Sequence, residues 1–338
     1  MNTLSDEKPV MPIDYHLKIT NEIGLYKDCH NVHELPDIFH YWSNKYLRPK
    51  QERFGFSNPE DFFISQCLHK AGATERLSIL SVGSGNGELE IKLAGALKAS
   101  GFDAFVVTCL DLNPHMLERA RLAAEVAGVA VHITTVQADF NHWQAAENER
   151  YDVIMANQSL HHVLELEHLF DAIHAALDDH GLFLTSDMIG RNGHMRWPEA
   201  MRAMQPFWNE LPESYRYNQI LRRQEDQFIN HDCSNDGFEG IRAQDILPLL
   251  TERFGFELFI PFANLIIPFI DRSFGHHFNA SAPWDTGFID RVHAADEKLI
   301  NQGRIKPTQM LAVMNKHQDT KPHLLQPHLT PAFCIRPC

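Results

Sequence analysis

Residues 78–113 read SILSVGSGNGELEIKLAGALKASGFDAFVVTCLDLN, and their order is strand, glycine turn, helix, strand, acid. Residues 78–82 are a short apolar run ending in the GSGNG turn at 83–87. Residues 88–99 then carry Leu89, Ile91, Leu93 and Leu97 at helical spacing among alanines. Residues 104–110 form a second apolar strand, with Asp111 at its end. Glycines where a strand turns into a helix let the backbone approach a ligand closely. A carboxylate at the end of the next strand is placed to take ribose hydroxyls.

Two ligand classes use such a turn. A dinucleotide fingerprint spaces its glycines G-x-G-x-x-G. Here the spacing is G-x-G-x-G and Glu88 comes next. A carboxylate there repels a pyrophosphate but tolerates a sulfonium, which disfavours a nicotinamide-dependent oxidoreductase. The stretch resembles the first motif of class I S-adenosylmethionine (SAM)-dependent methyltransferases. That resemblance implies that Gly83, Gly85 and Gly87 cradle the cofactor and that Asp111, followed by Leu112, holds its ribose. One position departs from the family pattern: the acid usual two residues before the first glycine is Ser81. Either Glu88 or Glu90 compensates, or the methionine amino group is held differently.

Working outward, residues 114–127 read as a helix and 131–137 as a third strand ending in Ala138-Asp139-Phe140. Alone, Asp139 reads equally well as a turn or helix-cap residue. The resemblance implies that it receives the adenine amino group and that Phe140 packs on the ring. Residues 151–156, YDVIMA, are the fourth strand, and NQSLHHV follows at 157–163. With Asn157, His161 and His162, this resembles the N-x-x-x-H-H ending of many small-molecule methyltransferases. A helix at 165–177, a turn at 178–181 and a fifth strand at 181–187 complete the run. The strict alternation predicts an α/β, doubly wound, mostly parallel sheet. The resemblance implies a seven-stranded Rossmann-like sheet with a closing hairpin.

The flanks divide the chain. Residues 1–75 are expected to form an N-terminal helical lid, with Trp42 and Tyr46 toward substrate; simple packing is the alternative. Residues 76–187 are the SAM-binding core and 188–240 a helical cap insertion. Residues 241–316 complete the core around an inserted loop at 263–284, and 317–338 form a flexible tail. The cap gathers cations and aromatics, among them His194, Arg196, Tyr215 and Arg216, with Arg272 and His276 later. They read as intramolecular ion pairs or as a site for an anionic substrate. His161, His162 and His194 are the candidate bases. The Pro- and His-rich tail has no ordered ligand spacing, and no resident metal is assigned.

The 338 residues, 44% hydrophobic and 22% charged, describe an ordinary soluble globule. A net charge of −14 argues against non-specific nucleic-acid binding. No apolar run approaches a membrane span, and the polar start is no secretory signal. Six scattered cysteines without C-x-x-C suggest reduced thiols and a cytoplasmic location. The flanks, including HYWSNKYLRPK and GFEGIRAQDILP, resemble a bacterial small-molecule group that includes prenyl-diphosphate C-methyltransferases. The function expected is methyl transfer to an alkene carbon of a farnesyl- or geranyl-type diphosphate, with or without cyclisation, and with Mg²⁺ bridging the diphosphate. The alternatives are sugar or other small-molecule O-methylation and a non-catalytic SAM-binding protein. A homodimer is compatible with either.

Overall fold

The computed structural model describes residues 15–26, 34–235 and 237–337. An N-terminal helix, α1 (Tyr15–Tyr26), is followed by α2 (Asp37–Trp42), which runs through one π-helical turn, Ser43–Leu47, into α3 (Arg48–Glu52). Helix α4 (Pro59–Ala71) starts where Asn58 accepts the Asp61 amide and Pro59 takes the first helical position.

The core then alternates. Strand β1 (Leu77–Val82), α5 (Glu88–Ala99), β2 (Phe105–Asp111), α6 (Pro114–Val126), β3 (Ile133–Gln137), β4 (Tyr151–Asn157), α7 (Leu166–Ala176) and β5 (Leu177–Met188) follow in order. The cap contributes α8 (Pro198–Glu210) and a two-residue hairpin pairing Tyr217–Asn218 with Arg223–Gln224. Helix α9 (Ala243–Arg253), β6 (Gly255–Phe262), α10 (Ile267–Ile270), α11 (Pro283–Asn301), β7 (Gln309–Asn315), β8 (His323–Leu324) and α12 (Pro331–Cys334) complete the chain.

The sheet order is β8-β6-β7-β5-β4-β1-β2-β3. Strands β1 to β5 pair in parallel, and β7 runs antiparallel between β5 and β6. The expected doubly wound sheet is therefore present, but with eight strands rather than seven. The eighth comes from the segment expected to be a flexible tail. His323 and Leu324 pair with Leu258 and Phe259, Thr330 caps α12, and Leu325, Leu329 and Cys334 are buried. The β8 pairing covers the β6 edge, which would otherwise expose unpaired backbone.

Strands buried on both faces carry apolar residues at nearly every position, as in Ile79, Leu80, Val153, Ile154, Phe183 and Leu184. Each such side chain contributes roughly 1.5–3 kcal/mol on burial. The cap and inserted loop have an aromatic core of their own. Trp208 meets Phe228, Phe269 and Phe274 edge-on or tilted, and Phe288 meets Phe269, Phe278 and Trp284. The inserted segment 263–284 contributes to this core: Leu265, Ile266, Phe269, Ile270 and Phe274 are all buried.

The N-terminal aromatics take part in packing of the same kind. Trp42 is 2% exposed and donates Nε1–H to His293 Nδ1 at 3.2 Å. Tyr46 stacks on the same imidazole at 3.8 Å and bonds Asp290 at 2.7 Å. Both residues dock α2 and its π-helical extension on α11, which is the packing role that stood as the alternative. The element that reaches the strand ends is α1 instead.

Candidate functional site

The glycine turn sits where β1 meets α5, and all three glycines have positive φ. A Cβ on Gly83 would lie 2.4 Å from Ser159 Cβ, and one on Gly87 would lie 2.7 Å from Ala120 Cβ. The first contact seals the turn against the loop after β4; the second lets α5 approach α6. Ser159 Oγ also donates to the Val82 carbonyl at 2.7 Å.

Asp111, at the end of β2, is buried. Its Oδ2 accepts the Gly85 amide and its Oδ1 the Asn113 amide, each at 2.8 Å. Burial raises its pKa, and those two amides partly offset the rise. Each oxygen keeps a lone pair for a hydroxyl. The Phe140 ring lies 3.7 Å from the position of a Gly83 Cβ, so it borders the same turn. Asp139 makes an Asx turn with the Asn141 amide, and its Oδ2 accepts the Tyr15 hydroxyl at 2.6 Å. The turn reading of Asp139 therefore has its counterpart, and its other oxygen faces α1. Helix α1 is tied there by Lys18 to the Ser234 and Gly237 carbonyls and by the Ile23 carbonyl to Asn113.

At the position of the acid expected before the first glycine, Ser81 meets a carboxylate. Ser81 Oγ donates to Glu90 Oε1 at 2.6 Å, and Glu90 is 2% exposed. Its other oxygen, Oε2, is buried without a hydrogen-bond partner among the described residues. Burial pushes the Glu90 carboxyl up to about 7. The first turn of α5 thus returns a carboxylate to the end of β1. An unpartnered buried acceptor of this kind is incomplete without a donor, and the ammonium of a SAM methionine moiety fits it.

At the ends of β4 and β5, three imidazoles surround one carboxylate that sequence reasoning did not single out, Glu239. His194 Nε2 donates to Glu239 Oε1 at 2.6 Å. His161 Nε2 lies 3.5 Å from Oε1, and His162 Nε2 lies 3.3 Å from Oε2. His161 Nδ1 donates to Asp187 Oδ1 at 2.7 Å. Asp187 is fully buried and also accepts the Ser159, Leu160 and Met188 amides. Glu22 of α1 comes within 3.1 Å of His162 Nδ1, although the two are not aligned as a hydrogen bond.

Burial pulls His161 down, but Asp187 and then Glu239 outweigh it and lift its pKa to about 10. His161 therefore carries a proton at neutral pH when nothing else is bound. Burial lowers His194. Burial would raise Glu239, yet hydrogen bonds from His161 and His194 hold its carboxyl far below the usual range. The expected trio His161, His162 and His194 is brought together as one cluster, not as three separate candidates.

Arg196 lies two residues beyond His194 and is nearly buried. Burial lowers its pKa to about 10, with Asp296 and Asp271 opposing. Its backbone is held by Asn230, and among the described residues its Nε is buried with no partner.

The remaining substrate candidates gather elsewhere. Tyr215 donates to Asp285 at the start of α11, at 3.0 Å. Arg216 donates to the Asn209 and Leu211 carbonyls at the C-terminus of α8, and weakly to that of Asp226. A guanidinium on terminal helix carbonyls is a capping group, and Arg216 has that structural role here. Arg272 and His276 are exposed on the segment that pairs with 217–219, and Arg272 stands 3.7 Å from Asp271. Asn157 ends β4 opposite Ser186, and Leu112 follows Asp111 at the turn into α6.

Glu239 and Glu90 carried weak signals. Glu239 precedes Gly240, whose φ of 69° marks a forced turn, and Glu90 sits one helical step past the glycines. Asp187 ends an apolar strand, where a buried acid needs a partner.

Residues 79–181 match the family model described as a methyltransferase domain. No curated protein matches the chain. Among solved structures, an O-methyltransferase from a trans-AT polyketide synthase of Brevibacillus brevis, bound to S-adenosyl-L-homocysteine, is 15% identical. The match covers 90% of this chain and 88% of that one, with a TM-score of 0.47. A protein from Galdieria sulphuraria, assigned as a sarcosine dimethylglycine methyltransferase, is 16% identical over 85% of this chain and 98% of that one, with a TM-score of 0.47. The matched segment spans the glycine turn, Asp111, Asp139 and the Asn157–His162 loop, so the part of the chain that holds the candidate site is the part similar to a methyltransferase domain.

Proposed function

We propose that the protein methylates an oxygen of a small, negatively charged acceptor. The observation that carries this reading is the cluster of His161, His162, His194 and Glu239, beside the glycine turn. An alkene carbon needs no base before it attacks, whereas a hydroxyl must lose its proton. The aromatic side chains expected to steady a carbocation are packed into the cap core or against α11. Mg²⁺ was expected only to bridge a diphosphate, and the isoprenoid reading loses its aromatic support.

SAM, when bound, supplies an electrophilic methyl group on a sulfonium. Glu90 and Ser81 hold its ammonium end, Asp111 its ribose and Asp139 its adenine edge. The cluster promotes loss of the acceptor's proton as its oxygen attacks. Arg196 offers the acceptor's anionic group a buried guanidinium, which strengthens the contact. Helix α1 covers the groove through Tyr15 and Glu22 and excludes water from the reacting atoms.

The test supplies methyl-deuterated SAM with sugar acids, sugar phosphates, hydroxy acids and farnesyl diphosphate, and reads product mass. Labelled methyl on an anionic hydroxyl acceptor, lost in Arg196→Ala with a raised KM, is the expected result. Label on the isoprenoid carbon skeleton alone would return the account to C-methylation.

A further inference from the structure

We propose that His161, His194 and Glu239 bind a divalent first-row transition cation, leaving an open position for the acceptor oxygen. The role of that ion rests on the O-methylation reading; the site itself rests on geometry.

The donor atoms are His161 Nε2, His194 Nε2 and a Glu239 carboxylate oxygen, all within 4.8 Å of one another. A tetrahedral ion with bonds of ~2.1 Å sets its ligands ~3.4 Å apart. The 3.5 Å between His161 Nε2 and Glu239 already matches that spacing. The 2.6 Å contact between His194 and Glu239 has to open by ~0.8 Å, a side-chain adjustment. Two imidazoles with one carboxylate form a donor set suited to Zn²⁺, Fe²⁺ or Co²⁺, and a fourth position is left for substrate.

The surrounding residues are arranged as a metal site requires. Asp187 takes the Nδ1–H of His161, which fixes the tautomer and turns the Nε2 lone pair toward Glu239. Three backbone amides saturate Asp187 in turn. The ligand loops are bonded to each other: the Gly193 amide to the Gly240 carbonyl at 2.8 Å, and the Ile241 amide to the His161 carbonyl at 3.1 Å. His194 is held at a φ of 56°, a left-handed conformation costly for a side chain with a Cβ. A Cβ on Gly240 would press on that imidazole at 3.0 Å, so glycine is needed for the ring to stand there. Three loops are thus fixed so that two imidazole nitrogens converge on one carboxylate.

An ion here would bind the deprotonated Nε2 of His161. An acceptor hydroxyl bound at the open position has its O–H bond polarised. The bond breaks, the proton leaves to water, and the electron pair stays on oxygen. His162, 3.3 Å from the second Glu239 oxygen, borders this position and orients the incoming group.

The full chain, without a histidine tag, is treated with chelator and titrated with Co²⁺ while visible absorption and proton release are followed. Zn²⁺ is then measured by competition with a chromophoric chelator. The expected result is one ion per chain. Affinity should fall ~10–100-fold in Asp187→Asn and further in His194→Ala and Glu239→Ala, with far-UV circular dichroism unchanged. Histidines 317, 323 and 328 of the C-terminal segment would bind weakly and independently of these substitutions. Binding in the unsubstituted chain no tighter than in a folded Glu239→Ala chain overturns the site. Methyl transfer that persists without any bound ion overturns the metal while leaving the O-methyltransferase reading. A bound ion without transfer to any hydroxyl supports the site and counts against that reading.

Discussion

Glu239→Gln lowers kcat by roughly 10²–10⁴-fold, the scale of general acid–base assistance, and leaves SAM affinity essentially unchanged. The asymmetry follows from where Glu239 stands. Its carboxylate accepts from His194 and faces His161 and His162, but it touches none of the cofactor residues described above. A glutamine keeps the volume and one acceptor oxygen. It loses the charge that orients three imidazoles toward one point, and as a metal ligand it is far poorer. Single-turnover methyl transfer gives the chemical step, and calorimetry gives the SAM dissociation constant. Glu239→Asp, which keeps the charge on a shorter arm, should recover part of kcat. Equal losses in turnover and SAM affinity, with no recovery in the aspartate variant, would mean that Glu239 only holds the cap in place.

SAM binding should weaken about tenfold between pH 8 and pH 6, and the dependence should vanish in Glu90→Gln. Burial lifts the Glu90 carboxyl to about 7 in the ligand-free protein. Below that value it is neutral and offers an ammonium group no charge; above it, it is an unpaired buried carboxylate. The ammonium selects the ionised form, so affinity is present above about pH 7 and falls as pH drops through it. For stability the sign is the reverse. The folded pKa lies above the ordinary value of 4.5, so the neutral Glu90 favours folding at low pH and that contribution is lost as pH rises through about 7. Asp111, also raised, faces Glu90 together with Glu88, and the glutamine variant separates them. A pH profile identical in both proteins would assign the titration to Asp111 and leave Ser81 without a charged substitute.

Most of the sheet was legible because its strands are buried on both faces and its turns need glycine. Residues 77–176 follow the strand and helix boundaries closely for that reason, whereas the turn expected at 178–181 lies inside β5, which begins at Leu177 and shifts register there. The eighth strand was not legible, since two residues, His323 and Leu324, carry no period. The flanks were ambiguous on different grounds. Trp42, Tyr46, Tyr215 and Arg216 have the side chains of a ligand pocket, but the same side chains pack a second core and cap a helix. Only neighbours distinguish the two uses, and those come from α8 and α11, tens to hundreds of residues away in sequence. The histidines were visible as a set; Glu239 and Asp187, which give them direction, were not, because a lone acid in a loop or at a strand end is common. Glu90 was one of two acids open as a substitute at Ser81, and its helix phase decides for it over Glu88.

Calorimetric titration of the full chain with SAM at pH 8, repeated on Asp111→Ala, tests the central claim most directly. The account predicts one site per chain and at least roughly tenfold weaker binding in the variant, the scale of one or two lost charge-assisted hydrogen bonds. No binding by the unsubstituted chain, or equal affinity in both proteins, would contradict it.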